Sequence, residues 1–247
     1  MESTMGLLFT CSIDDGHPSD LKVAELLAKH DLHGTFYIPI KNREGYAVLP
    51  RAQLAELGRS FEIGSHTYDH CYLGEVDIWE AYFQIAQGKK ELEDMIGKEV
   101  TGFCYPGGKY AKRDIDLVKA CGFRYARTTM NLRLDIGANQ YEIPTTVQFY
   151  PHHKSVYVRN FAEAGHWLGR QGALRLAVKH DEWMRRLFAL FDYACEHGQM
   201  FHLWAHSREI DKIDAWRQLD SFFHHVAGAV THENRVDNAQ LLRRLIC

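Results

Sequence analysis

Asp14 and Asp15 stand side by side where an apolar run ends, in CSIDDGHPSD at 11–20. Neighbouring carboxylates repel, and a buried pair needs a cation, a proton or a donor to compensate. The plain alternative is a solvated Asp-Asp-Gly turn. A second stretch, EIGSHTYDH at 62–70, sets His66 and His70 four residues apart. On one helical turn that spacing brings both imidazoles to one face, within reach of one ion. A third, FHLWAHSRE at 201–209, leaves His206 just after an apolar run. Each is weak alone in a chain with 15 histidines. Together they strengthen one another. Two imidazoles and one carboxylate hold a catalytic divalent cation with a position left open for water. The other carboxylate is then free to act as a base, and His206 as a general acid.

Such a set requires elements that bring residues 14, 66, 70 and 206 to one place. Short apolar runs suit strands: Leu7–Ile13, Gly34–Ile38, Phe61–Ser65, Gly102–Tyr105, Tyr125–Thr129, Glu142–Gln148 and Met200–Ala205. Longer patterns between them read as helices at Asp20–His30, Leu49–Arg59, Trp79–Ile96, Asp114–Cys121, Phe161–Leu168, Asp181–His197, Ala215–Ala227 and Ala239–Leu245. Strands alternating with helices predict parallel β/α units, and about seven of them in 247 residues favour a barrel or partial barrel in one domain. In such barrels the functional side chains gather where strands end.

Composition adds exclusions. Hydrophobic residues make up 46% and the formal net charge is −3, so nothing points to nucleic acid or anionic lipid. The six cysteines, Cys247 among them, form no C-x-x-C pair, which argues against a zinc ribbon or a disulfide scaffold. No run reaches the roughly 18 apolar residues that span a bilayer, and the opening MESTMGLLFTCSIDDG lacks a basic, apolar leader. The expectation is a reduced, cytoplasmic protein.

The motifs resemble those of the polysaccharide deacetylase family, the NodB homology domain of carbohydrate esterase family 4. Its T-F-D-D-G reads here Ser12-Ile13-Asp14-Asp15-Gly16, and its H-[S/T]-x-x-H reads His66-Thr67-Tyr68-Asp69-His70. Its third motif, often R-x-P-Y/G, reads Cys104-Tyr105-Pro106-Gly107-Gly108, and its last reads Leu203-Trp204-Ala205-His206. The resemblance implies a distorted (β/α)7-type barrel, with 1–247 as a single NodB homology domain. It implies that Asp15, His66 and His70 hold the metal. Asp14 would be the general base, His206 the general acid and the Gly107 N–H an oxyanion donor. Zn²⁺ is the expected ion, with Co²⁺, Ni²⁺ or Mn²⁺ as alternatives.

Two departures stand out. The arginine that orients the base in the family pattern is Cys104 here, and a thiol makes no bidentate charge-assisted contact. Arg127, at the end of the next strand, is the candidate replacement; otherwise it is a surface arginine. The family's Asp/Trp element has no clear match; HDEW at 180–183 is a candidate, unless Asp181 only caps the following helix. Tyr105 and Trp204 are candidates to stack on a sugar, with core packing as the alternative, and His152 is a candidate for the pocket mouth, with a solvated surface position as the alternative. His202 and His206 lie about 13 Å apart in an extended strand, too far to share an ion.

The expected activity is metal-dependent removal of an acetyl or formyl group from an N-acylated sugar. That sugar would be nucleotide-linked, lipid-linked or polymeric, in surface polysaccharide or lipopolysaccharide O-antigen assembly. A cyclic-amide hydrolase of the allantoinase type is the alternative enzyme. A degenerate sugar-binding barrel is the non-catalytic one.

Overall fold

A computed structural model describes residues 6–246. The first five residues and Cys247, part of the leader and cysteine expectations, lie outside them. Seven parallel strands form one curled sheet: β1 (Leu8–Asp14), β2 (Thr35–Ile38), β3 (Glu62–Ser65), β4 (Gly102–Cys104), β5 (Tyr125–Arg127), β6 (Val147–Gln148) and β7 (Met200–Ala205). Their order is β5-β4-β3-β2-β1-β7-β6. Beyond the two edges, Arg127 bridges Ile143, four residues before Val147 pairs with Leu203. The segment 143–148 thus stitches β5 to β7 and makes a distorted (β/α)7 barrel. Regular pairing lapses at Pro144, which has no N–H to give the ladder.

Among the described residues ten helices surround the sheet: α1 (Asp20–Lys29), α2 (Arg51–Ser60), α3 (Ile78–Ile96), α4 (Lys112–Ala120), α5 (Lys154–Glu163), α6 (Trp167–Lys179), α7 (Trp183–His197), α8 (Ser207–Ile213), α9 (Trp216–Ala229) and α10 (Asn238–Ile246). Among the described residues no helix is long and apolar enough to cross a membrane. One expected helix, Phe161–Leu168, is in fact parts of two, broken where Gly165 and His166 adopt left-handed φ values. Helix α8 went unpredicted. The cap of α7 is Glu182, which accepts from Met184 N and Arg185 N at 2.8 and 2.6 Å, not Asp181.

β1 explains how the barrel presents chemistry. All seven of its residues are buried, because it runs between β2 and β7 under the helices. Side chains alternate across a strand. Phe9, Cys11 and Ile13 join the large core between sheet and helices. Leu8 joins the smaller cluster inside the barrel, with Tyr37, Cys104 and Tyr125. Thr10, Ser12 and Asp14 share that inward parity. They meet Asn238, His202 and Arg127, so the interior turns polar toward the strand's C-terminal end.

Candidate metal and acid–base centre

β1 ends at Asp14, and the chain reverses through Asp15 and Gly16 at φ of 80° and 64°. A Cβ on Gly16 would lie 2.8 Å from Ile38 Cγ2, so the turn needs a glycine there. This turn separates the two carboxylates. Asp14 points into the barrel, and Asp15 faces the end of β3.

His66 follows β3 directly. The H-x-x-x-H stretch is a tight turn rather than the helical turn that its spacing suggests, with Thr67 and His70 at φ of 66° and 64°. The turn is fixed from both sides. Thr67 Oγ1 accepts from Cys71 N at 2.9 Å, and Tyr68 O accepts from Ile40 N at 2.9 Å. Three of the seven left-handed non-glycine residues among those described are Asp15, Thr67 and His70. Backbone strain of this kind persists where surrounding structure enforces it, and it clusters at functional sites.

Asp15, His66 and His70 offer donor atoms that all lie within 4.8 Å of one another. His70 Nε2 is 3.2 Å and His66 Nε2 3.6 Å from Asp15 Oδ1. That buried oxygen has no hydrogen-bond partner among the described residues. His66 Nδ1 lies 2.9 Å from Cys104 O. A carbonyl only accepts, so Nδ1 carries the proton and Nε2 keeps its lone pair for a ligand. Burial also pushes the His66 pKa down to about 4, which keeps the imidazole neutral. Burial would raise the Asp15 carboxyl, but His70, His206 and His66 draw it well below the usual carboxylate range. An anionic oxygen and two imidazole nitrogens suit a divalent cation of borderline softness.

A second group of donors, Asp14, His66 and Cys104, is equally compact. It is the weaker candidate. Burial pushes the Cys104 thiol far up, so it stays protonated, and Asp14 is already engaged.

Asp14 pairs with Arg127. The guanidinium Nη2 donates to Asp14 Oδ1 and, at 3.3 Å, to Ser12 Oγ. Ser12 in turn contacts His202 Nε2 at 2.8 Å. Arg127 is fully buried, its Cζ lying 5.2 Å from the ring centres of both Tyr37 and Trp204. Burial opposes its charge, yet Asp14 more than offsets this and holds its pKa up. Cys104 and Arg127 are direct cross-strand neighbours in the β4–β5 register. The small thiol leaves the interior open for the arginine of the next strand to cross. Cys104 Sγ itself is 4.0 Å from Asp14 Oδ2, at most a weak contact.

His206 stands at the end of β7, its Nε2 3.9 Å from Asp15 Oδ2. Its Nδ1 is 2.9 Å from Glu209 Oε2, one turn on in α8. Gln148 Nε2 donates to the same oxygen at 2.9 Å, and Gln148 Oε1 accepts from His152 Nε2 at 2.7 Å. Burial works against a charged His206, but Glu209, Asp15 and Asp14 outweigh it and raise its pKa to about 9. These carboxylates favour the charged imidazolium.

The remaining expectations divide. Gly107 lies exposed in the short turn Pro106–Gly108 after β4. Trp204 is half-buried, with its ring 5.3 Å from that of His206 and beside Arg127. His152 sits behind Gln148, two contacts away from His206. Tyr105 cannot stack on a sugar. It is fully buried, its ring 4.1 Å from Tyr110 and its hydroxyl donating to Tyr141 O at 3.2 Å. The HDEW segment does not support His206 either: the Asp181 side chain is 95% exposed and pairs with Lys154, while Trp183 packs on Phe149. Ser12, His202, Gln148 and Glu209 went unassigned from the sequence. Only Glu209 left a signal there, three residues after His206 where a helix starts.

The Polysaccharide deacetylase family model matches residues 8–126. YxkH of Bacillus subtilis, provisionally named a polysaccharide deacetylase, is 25% identical over 120 residues, which are 48% of this chain and 43% of that protein. The chain thus spans less than half the length of this curated relative. A Mycobacterium smegmatis structure with a provisional polysaccharide deacetylase name has a TM-score of 0.64 at 16% identity, over 100% of this chain and 93% of the other. The Streptococcus pyogenes deacetylase PplD has a TM-score of 0.50 at 18% identity, over 55% and 62%. At these identities the two structures speak for the fold.

Proposed function

We propose that this chain, whose residues 8–126 match the polysaccharide deacetylase family model, is a metal-dependent hydrolase that removes an N-acyl group, acetyl or formyl, from an amino sugar. The observation that carries the reading is the convergence of three parts at adjoining strand ends. These are the Asp15–His66–His70 donor set, the Asp14–Arg127 pair and His206. A pure sugar-binding barrel has no use for both a fixed base and a charged acid.

Asp15, His66 and His70 would hold a divalent cation, Zn²⁺ being the best match to those donors, and when bound it would supply Lewis-acid stabilisation and a lowered water pKa. The chain's own residues do the rest. Asp14, kept in place by Arg127, takes a proton as the water oxygen bonds to the amide carbon. The Gly107 N–H donates to the carbonyl oxygen as it gains charge. His206 gives its proton to the nitrogen as the C–N bond breaks, since an amide anion is a very poor leaving group. A carboxylic acid and a free amine result. We extend the proposal to surface-polysaccharide assembly inside the cell, which rests on the family's sugar class and on no residue of the site.

Metal analysis of the purified protein alongside an N-acetylhexosamine hydrolysis assay tests the reading. The expected result is one divalent ion per chain, lost in His66→Ala, with hydrolysis lost alongside it. Asp14→Asn should keep the ion and lose turnover by about 10²–10⁴-fold. Equal metal in wild type and His66→Ala would refute the donor set; wild-type hydrolysis by Asp14→Asn would refute the base.

A further inference from the structure

The loop leaving β5 and the C-terminal end of α5 line an open cavity of about 290 Å³. Its lining includes Gly108, Thr128, Thr129, Asn131, Asn160 and Glu163. It lies at the same end of the barrel as the candidate site, since its lining residues Gly108 and Thr128 directly follow Gly107 and Arg127 in the chain. Its volume is at the lower edge of the roughly 300–1,000 Å³ typical of ligand sites, room for a single ring.

Arg170 of α6 builds the walls. It is fully buried and meets no carboxylate among the described residues. Its donors all go to the two segments that bound the cavity. Nε donates to Asn131 O at 2.9 Å, and Nη2 to Asn131 Oδ1 and Asn160 O at 3.1 Å each. Nη1 donates to Phe161 O at 3.2 Å and Gly165 O at 2.7 Å. Such a fork fixes the β5 loop against the helical turn. A guanidinium only donates, so the Asn131 side-chain atom facing it is oxygen, and the NH₂ group is left as a donor for a ligand. Close apposition continues at Gly108, where a Cβ would fall 2.1 Å from Thr129 Oγ1.

The lining chemistry is specific in what it offers. Three hydroxyls, of Thr128, Thr129 and Tyr110, and two amides are groups that both donate and accept, as sugar hydroxyls do, and the Glu163 carboxylate accepts. No lysine or arginine is among the lining residues, so a phosphate would meet the Glu163 carboxylate without a facing cation. We propose that this cavity takes an uncharged sugar unit joined to the one being deacylated. Glu163 and Asn131 read its hydroxyls, and Arg170 is the positioning residue. Apart from Gly108 and Tyr110, the walls come from residues 128–164, beyond the 8–126 stretch shared with the family. The inference rests on the N-deacylase reading and narrows it, to an oligosaccharide rather than a nucleotide- or diphosphate-linked single sugar.

The test compares deacetylation of an N-acetylglucosamine trisaccharide, the single sugar and UDP-N-acetylglucosamine by the whole chain. Calorimetry of the deacetylated trisaccharide gives binding separately. The trisaccharide should be preferred in kcat/KM. Glu163→Ala should raise its KM about 10-fold more than the KM of the single sugar, the scale of one lost charge-assisted hydrogen bond. Arg170→Met should act in the same direction and Arg170→Lys should recover part of the loss. If Arg170→Met does not fold, the exposed Glu163 still decides. Equal KM shifts on both sugars, or preference for the UDP-sugar, would overturn the subsite and leave the deacylase standing. Absence of hydrolysis on every sugar, with trisaccharide binding weakened by Glu163→Ala, would sink the reaction and keep the subsite.

Discussion

The two arms proposed to handle protons, Asp14 with Arg127 and His206 with Glu209, are held by opposite means. Asp14 is 2% exposed and Arg127 not at all; the pair lies inside the barrel between β1 and β5, flanked by two aromatic rings. His206 is 22% exposed and Glu209 28%, at the rim where β7 passes into α8. The buried arm is fixed by packing and charge. The rim arm is fixed by a relay of hydrogen bonds that solvent reaches. The difference suits the two tasks. A base has to aim at one water, and misplacement by about 1 Å can cost 10²-fold. An acid has to regain a proton at every turnover, which favours contact with water.

Arg127→Ala breaks the buried arm and carries the largest expected effect. It leaves Asp14 as an uncompensated buried carboxylate, which costs about 3–5 kcal/mol of stability. In protein that still folds, kcat should fall by roughly 10²-fold or more while metal content holds. Arg127→Lys should restore little, because a compact ammonium does not reproduce the planar guanidinium held between two rings. Cys104→Ala should be mild beside it. The reverse ranking, with Cys104 essential and Arg127 dispensable, would reverse the comparison itself.

Glu209→Gln probes the rim arm, with about 10-fold expected in kcat/KM. Glu209 stabilises the charged imidazolium, so its removal lowers the His206 pKa from about 9. The acid form is the active one, so the alkaline limb of the pH profile should move to lower pH. A bound cation repels the same proton, so both limbs sit below that value in loaded protein, but the direction of the shift is unchanged. A pH–rate profile identical to wild type would show that Glu209 does not support the acid.

Much of the buried arm was legible in the sequence because strands obey a period of two. Ser12 and Asp14 share a parity, and the order of strand ends placed Arg127 next to Cys104. The barrel followed from the alternation of apolar runs and helical patterns. The rim arm was harder to read. His206 was marked by its position after β7, but its support was sought in HDEW at 180–183. Its true partners come from residues 148 and 209, brought together only when segment 143–148 closes the barrel beside β7. The H-x-x-x-H spacing brought the two histidines together by a different local route than expected, since left-handed Thr67 and His70 make a turn where a helix would have served. Helices α5 and α6 escaped because their join, at Gly165 and His166, lies inside the span read as one helix.

Trp204 and Tyr105 give the finest form of the comparison, since both are aromatic and both follow a barrel strand or lie in it. The Trp204 ring is half-buried and spans the two arms, touching Arg127 on one side and His206 on the other. Tyr105 is sealed between Phe103 and Tyr110, and only its hydroxyl does polar work, toward Tyr141 O. Trp204→Phe should therefore raise KM several-fold, with the cation–π contact to Arg127 reduced and any sugar-facing surface made smaller. Tyr105→Phe should leave KM and kcat where they are. Its cost is one hydrogen bond to a partly buried carbonyl, about 0.5–1.5 kcal/mol in denaturant unfolding. The outcome that would unseat this division is a KM change in Tyr105→Phe with stability intact. It would mean that the Tyr105 hydroxyl leaves Tyr141 when substrate binds, and that the buried arm opens during turnover.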